Sequence, residues 1–106
     1  MSELKASRNE ELDMLFEAFL SLESVEECSD LFADMFTDQE IVSFARRLQV
    51  AKMLLNGATY GMIQETIPVS SATITRINTV LQYGEGGYRR TVERLMRRSA
   101  DEDSTN

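Results

Sequence analysis

The sequence contains no histidine, only one cysteine and only one proline among its 106 residues. The lone Cys28 excludes a disulfide within the chain, and its place on the apolar stripe of a predicted helix favours a core position over a reactive thiol. No run of about eighteen apolar residues occurs, and the N-terminus has no basic flank leading into an apolar stretch, so we expect neither a membrane span nor a secretion signal. These absences together predict a cytoplasmic protein.

The residue types needed for catalysis are also scarce. Without histidine, the candidates that remain are acids, which lie mostly in capping or solvent positions, and no feature singles out any one of them. The sequence has no nucleophile beside a base, no glycine-rich phosphate loop and no metal-ligand spacing. We therefore predict that the protein is not an enzyme and uses no cofactor and no metal ion.

Charge is distributed unevenly along the chain. Residues 1–45 contain twelve acids and two bases, residues 46–100 contain three acids and nine bases, and residues 101–103 add three acids. The formal net charge of -7 therefore combines an acidic first half, a basic second half and an acidic tail. Because a ligand responds to the local field, the second half can attract a polyanion although the whole chain is acidic.

The first half has the apolar periodicity of amphipathic helices, with apolar residues at spacings of three and four. This pattern predicts one helix over residues 10–22 and another over residues 25–35. The segment from Ser21 to Ser24 is the expected turn between them.

A third helix has the clearest start signal in the chain. Thr37 and Glu40 have the spacing of a capping box, and Gly57 supplies a left-handed residue after the expected last residue, Asn56. The helix is apolar on more than one side, so it needs two neighbours, and in a chain this short we expect one of them from a second subunit. The pattern thus predicts a homodimer.

A short pair of helices follows. Thr59 can cap a helix that runs to about Thr66, and Pro68 prevents that helix from continuing. Ser70 or Ser71 can then cap the next helix. Two helices around such a tight break indicate a helix-turn-helix, although an ordinary helix pair has the same pattern.

The second helix of the pair has two chemically different faces. Ile74, Ile77 and Leu81 have the spacing of a buried stripe, whereas the opposite face carries small and hydroxylated side chains, which allow a backbone to approach base edges in the major groove of DNA. The residues predicted to contact DNA are Ser71, Ala72, Thr75, Arg76 and Thr79.

The segments FTDQEIVSFARRLQVAKMLLNG and SSATITRINTVL resemble the tryptophan repressor family, in particular its repressor-like branch without an established effector. The resemblance covers Phe36 to about Leu95. It implies an all-α fold in which two chains interlock, with a helix-turn-helix in each subunit, and a DNA-binding transcriptional repressor as the function. The alternative is a dimeric protein-interaction module on the same scaffold with little DNA affinity, and the salt dependence of DNA binding separates the two.

The resemblance also implies a ligand pocket. Arg47 and Arg76 match two arginines that hold tryptophan in the family, and Thr37 and Thr73 match hydroxyl groups of the same pocket. Two residues depart from the pattern: the tryptophan-responsive members have glycine at the position of Ile77 and serine at that of Val80. A branched side chain and a lost hydroxyl both disfavour the ligand, so we predict that tryptophan is not the effector and that another small molecule could be.

The resulting organisation is a single domain over residues 1–106. Its predicted parts are residues 8–57 as N-terminal helices and dimer body, 58–83 as helix-turn-helix, 84–98 as C-terminal helix and 99–106 as acidic tail.

The first helix of the predicted motif has Met62 and Glu65 where the family carries basic residues toward DNA phosphates. Five arginines of the last helix could compensate or could belong to a solvated face. They are Arg89, Arg90, Arg94, Arg97 and Arg98.

Overall fold

The computed structural model describes residues 9–104, and within that range the chain is all-helical. The six helices are α1 (Glu10–Leu20), α2 (Val25–Met35), α3 (Asp38–Leu55), α4 (Tyr60–Thr66), α5 (Ser71–Tyr83) and α6 (Gly87–Ser104). The predicted all-α class is confirmed. The chain divides into two compact units, one ending at Val42 and one beginning at Ser43.

The first unit contains α1 and α2, neither of which has a buried residue. Three aromatic rings meet there: the centroids of Phe19 and Phe32 are 5.5 Å apart, and those of Phe32 and Phe36 are 5.1 Å apart. Cys28, predicted to lie in the core, is half-buried. Helix α1 ends two residues before the predicted Leu22, because Ser21 closes it with a hydroxyl that donates to the carbonyl of Ala18 at 2.7 Å.

Helix α3 has the predicted capping box. The backbone N–H of Glu40 donates to the Thr37 hydroxyl at 3.1 Å, and the N–H of Thr37 donates to the Glu40 carboxylate at 2.9 Å. The helix ends one residue before the predicted Asn56, in a turn where the N–H of Ala58 donates to the carbonyl of Met53 at 3.0 Å. Gly57 has the left-handed φ of +85° that this turn requires, as predicted.

The buried core lies in the second unit and holds the short helices in place. Helices α3 to α6 and the segment after α4 all contribute apolar side chains to it, so each of them is anchored on the others. The buried residues are Val50, Ala51, Ile63, Ile67, Ile74, Ile77 and Val92.

The last helix differs from the prediction. We placed it at residues 84–98, but α6 runs from Gly87 to Ser104, so the acidic segment 101–103 is helical. Its start is later because Gly84 ends α5: its N–H donates to the carbonyl of Val80, and a Cβ at position 84 would stand 2.6 Å from that oxygen. Its end is also later: the helix continues through Ser99 and Ala100, which line a cavity beside α3, to Ser104.

Candidate nucleic-acid interface

Helices α4 and α5 form a pair around a break of four residues. The hydroxyl of Thr59 accepts the N–H of Met62 at 3.2 Å and caps α4, as predicted. Ile67, before Pro68, has extended backbone angles and ends α4. Of the two serines predicted to cap α5, Ser70 is the one that does so: its hydroxyl accepts the N–H of Thr73 at 3.2 Å.

Buried isoleucines anchor both helices of the pair in the core. Ile63 of α4 is 0% exposed, Ile74 of α5 is 0% exposed, and Ile77 is 3% exposed, so both helices direct isoleucine into the same core. Because α5 buries this stripe, its opposite face is directed toward solvent. The burial predicted for Ile74 and Ile77 is confirmed.

All five residues that we predicted to contact DNA are exposed on α5. Their side chains are short or hydroxylated except for Arg76. The hydroxyl of Thr79 donates to the carbonyl of Thr75 at 2.9 Å, so its hydrogen is already used within the helix, whereas its methyl group stays available. The outward orientation of these residues is therefore confirmed, and their contact with DNA stays a prediction.

The surface of the pair carries little charge. From Gly57 to Tyr83 the ionisable acids and bases are Glu65 and Arg76, both exposed. Met62 on α4 is 52% exposed, so an apolar side chain occupies the surface where the family has basic residues. This surface suits contact with base edges better than neutralisation of phosphates.

The four residues predicted to line a ligand pocket have the following positions. Thr37 belongs to the first unit, where its hydroxyl caps α3. In the second unit, the guanidinium of Arg47 lies 5.8 Å from the ring centroid of Phe44, and Arg76 is exposed. The hydroxyl of Thr73 lies 3.1 Å from that of Ser70 and so takes part in capping α5, a role that the sequence analysis missed. A common pocket for these four residues remains a prediction.

Another feature missed from the sequence is a cavity of about 450 Å³ between α3 and α6. Its lining includes Leu48, Leu95 and Met96, together with Lys52 and Asp103, and it contains none of the predicted pocket residues. The wide apolar surface of α3 was the available signal, because it indicated a second neighbour for that helix. Leu48 and Leu95 remain 42% and 52% exposed, so this groove is only partly covered.

Two further observations concern residues 9–104. Within this range no cluster of three or more acidic, cysteine or histidine side chains has the geometry to hold a metal ion. None of the helices there combines the length and apolar character that crossing a membrane requires.

The described part of the chain thus defines a small all-α protein with a short, nearly uncharged helix pair on its core. The family profile described as Trp repressor protein matches residues 10–96. The chain belongs to this family, whose members are regulators, and this confirms the resemblance seen in the sequence.

The chain is similar to known proteins over most of their length. The uncharacterized protein YerC of Bacillus subtilis (strain 168) is 41% identical over 97 residues, which are 92% of this chain and 93% of YerC. A crystal structure of a candidate Trp repressor from Staphylococcus aureus superposes with a TM-score of 0.83 at 42% identity, over 88% of this chain and 93% of that one. The crystal structure of a TrpR-like protein from Eubacterium eligens ATCC 27750 superposes with a TM-score of 0.82 at 43% sequence identity. The match covers 86% of this chain and 94% of that one.

Proposed function

We propose that the protein is a cytoplasmic, sequence-specific DNA-binding transcriptional repressor that acts as an interlocked homodimer. In this proposal α4 and α5 form a helix-turn-helix, and α1, α2 and α3 form the dimer body. The observation that carries the proposal is the division of α5 into a face of buried isoleucines and an exposed face of small and hydroxylated side chains.

That exposed face is chemically suited to the major groove. Ala72 and Thr75 are short enough to let the helix backbone approach base edges, and the Thr75 methyl group can contact the methyl group of thymine. Arg76 can donate two hydrogen bonds to the O6 and N7 atoms of guanine. The buried isoleucines hold the helix rigidly while it makes these contacts.

The homodimer is supported by the first unit. Helices α1 and α2 bury no side chain, and Met14, Leu20 and Val25 are 72%, 86% and 81% exposed. Large apolar side chains left exposed on helices that bury nothing are typical of a protein interface. Two copies related by a two-fold axis would place two α5 helices on a symmetric duplex with half-sites about 34 Å apart.

A base-reading role for Thr75 can be measured directly. The preferred duplex is first obtained by selecting bound DNA from a random pool. Replacement of Thr75 by leucine is expected to weaken binding to that duplex by about 1–3 kcal/mol, or roughly 5- to 150-fold, and to leave binding to unrelated duplexes nearly unchanged. Titrating the selected duplex and an unrelated duplex with the wild type and with the Thr75→Leu variant measures this difference in affinity.

The control is Ala33→Leu, which places a leucine at an exposed position of α2 and should alter neither affinity. An equal loss on all duplexes for Thr75→Leu would mean that Thr75 supports the fold and does not read a base.

A protein-interaction module is the second candidate, and the neutral surface of the α4 and α5 pair favours it. Met62, Val80 and Tyr83 are 52%, 41% and 81% exposed there, which would suit an apolar partner. DNA affinity that is weak and independent of salt would support this candidate over the repressor.

Free tryptophan is not expected to act as the effector, although a different small ligand could use Thr37, Arg47, Thr73 and Arg76. Ile77 is 3% exposed and fills the core, and Val80 offers no hydroxyl to an ammonium group. An effector shifts the equilibrium between a DNA-binding conformation and an inactive one because it binds one of them more tightly. A ligand that binds neither conformation cannot shift that equilibrium.

Calorimetric titration with millimolar tryptophan should therefore show only the heat of dilution, and DNA affinity should not change. The chain contains no tryptophan, so a shift in the fluorescence of the added amino acid would also report binding. Tight binding by either measurement would show that the pocket assignment is wrong.

A further inference from the structure

Helix α6 carries five of the 11 basic residues of the chain, namely Arg89, Arg90, Arg94, Arg97 and Arg98. The guanidinium of Arg89 lies 3.8 Å from the carboxylate of Glu93, one turn along the helix. Its charge is therefore offset locally within α6. The remaining arginines concentrate positive charge on the other sides of the helix.

Three of these arginines share one face. Arg90, Arg94 and Arg97 follow the spacing i, i+4 and i+7, which aligns side chains along a helix, and all three are exposed. Val92, on the opposite side, is 4% exposed and belongs to the core. We call the three residues the arginine face. It extends over about 10 Å of helix and is directed away from the core.

The helix dipole does not account for this placement. A helix is stabilised by acids in its first turn and bases in its last turn. Helix α6 has no acid in its first turn and no base in its last, and it carries Arg89 and Arg90 near its start and acids at 101–103 near its end. The charges at the two ends of α6 are thus arranged against the helix dipole, so the dipole does not explain them.

The proposed DNA-binding function requires positive charge that neutralises DNA phosphates, and the arginine face can supply it. The α4 and α5 pair offers one base, Arg76, and one acid, Glu65. Neutralising one phosphate per chain contributes little sequence-independent affinity, because each phosphate contact adds only about 0.9 to the slope of log affinity against log salt.

We propose that the arginine face of α6 binds the phosphate backbone of duplex DNA and supplies most of the sequence-independent affinity of the protein. This inference rests on the proposed function, and it assigns base reading and phosphate binding to different helices. Arginine suits the second task because its planar guanidinium forms paired hydrogen bonds to phosphate oxygens.

The test compares two double variants that remove the same charge. The variant Arg94→Gln with Arg97→Gln removes two bases from the arginine face, and Arg46→Gln with Lys52→Gln removes two exposed bases from α3. Glutamine retains a high helix propensity, and circular dichroism checks that both variants remain folded. Binding of each full-length protein to the selected duplex is measured between 50 and 200 mM salt.

Each phosphate contact adds about 0.9 to the slope of log affinity against log salt, and a dimer of the arginine-face variant loses four arginines. The magnitude of its slope should fall by about 3.6, while the α3 variant keeps nearly the wild-type slope and both retain the preference for the selected sequence. Equal changes in the two variants would overturn the inference, because net charge alone would explain them.

Sedimentation of the same proteins tests a second explanation for the arginine face, namely that it contacts another copy of the chain and not DNA. If the arginine-face variant dissociates into monomers at concentrations where the wild type is dimeric, and its DNA slope is unchanged, the arginines pair with acidic helices of a second copy and the inference is wrong. Failure of the proposed function is a separate result: the wild type would then show no preference for any duplex.

Discussion

Replacement of Leu20 by glutamate is expected to convert the proposed homodimer into monomers. Leu20 is 86% exposed at the end of a helix that buries no residue, so its apolar surface is available to a second copy. Burying one leucine stabilises an interface by about 1.5–3 kcal/mol, and a symmetric dimer contains the residue twice. The substitution should therefore raise the dissociation constant by roughly 10²- to 10⁴-fold, before any repulsion between the new charges is counted.

Sedimentation equilibrium over a range of concentrations measures this change. Ala33→Glu is a matched control, because Ala33 is exposed on α2 close to the acids Glu26 and Asp30, and it adds the same charge there. The control should sediment as the wild type does. If the wild-type chain is a fully helical monomer at every concentration, the homodimer proposal is wrong.

Replacement of Ile74 by alanine is expected to lower the free energy of unfolding by about 2–5 kcal/mol. Ile74 is 0% exposed in the core that also contains Val50 and Ile63, so the smaller side chain leaves a cavity among residues of three helices. Small domains are stable by only about 5–15 kcal/mol, so this single change removes a large part of the total. DNA binding should fall with it, because the same isoleucine positions α5.

Urea unfolding at one fixed protein concentration measures the effect, since the stability of a dimer depends on concentration. Ile74→Val should cost only about 0.5–1.5 kcal/mol, and Thr75→Ala, at the exposed neighbour, should cost less than either core change. A small cost for Ile74→Ala would mean that the core is too loosely packed to hold α5 in place.

The starts of α3 and α4 and the end of α3 were determined by the sequence itself. The capping box of Thr37 and Glu40, the cap at Thr59 and the left-handed Gly57 all follow from contacts between residues at most five positions apart. Such contacts form within a turn of chain and need no distant partner, so local patterns predict them. The exposure of Thr75 and Arg76 also followed from periodicity, because a helix that buries Ile74 and Ile77 directs them outward.

Burial and helix length were decided by the tertiary structure. The stripes on α1 and α2 have the same periodicity as that on α5, yet α1 and α2 bury nothing while α5 buries two isoleucines. Similarly, α6 continues past residue 98, where Ser99 and Ala100 line the cavity beside α3. Periodicity shows only that a side of a helix is apolar; which surface covers it depends on residues far away in the chain.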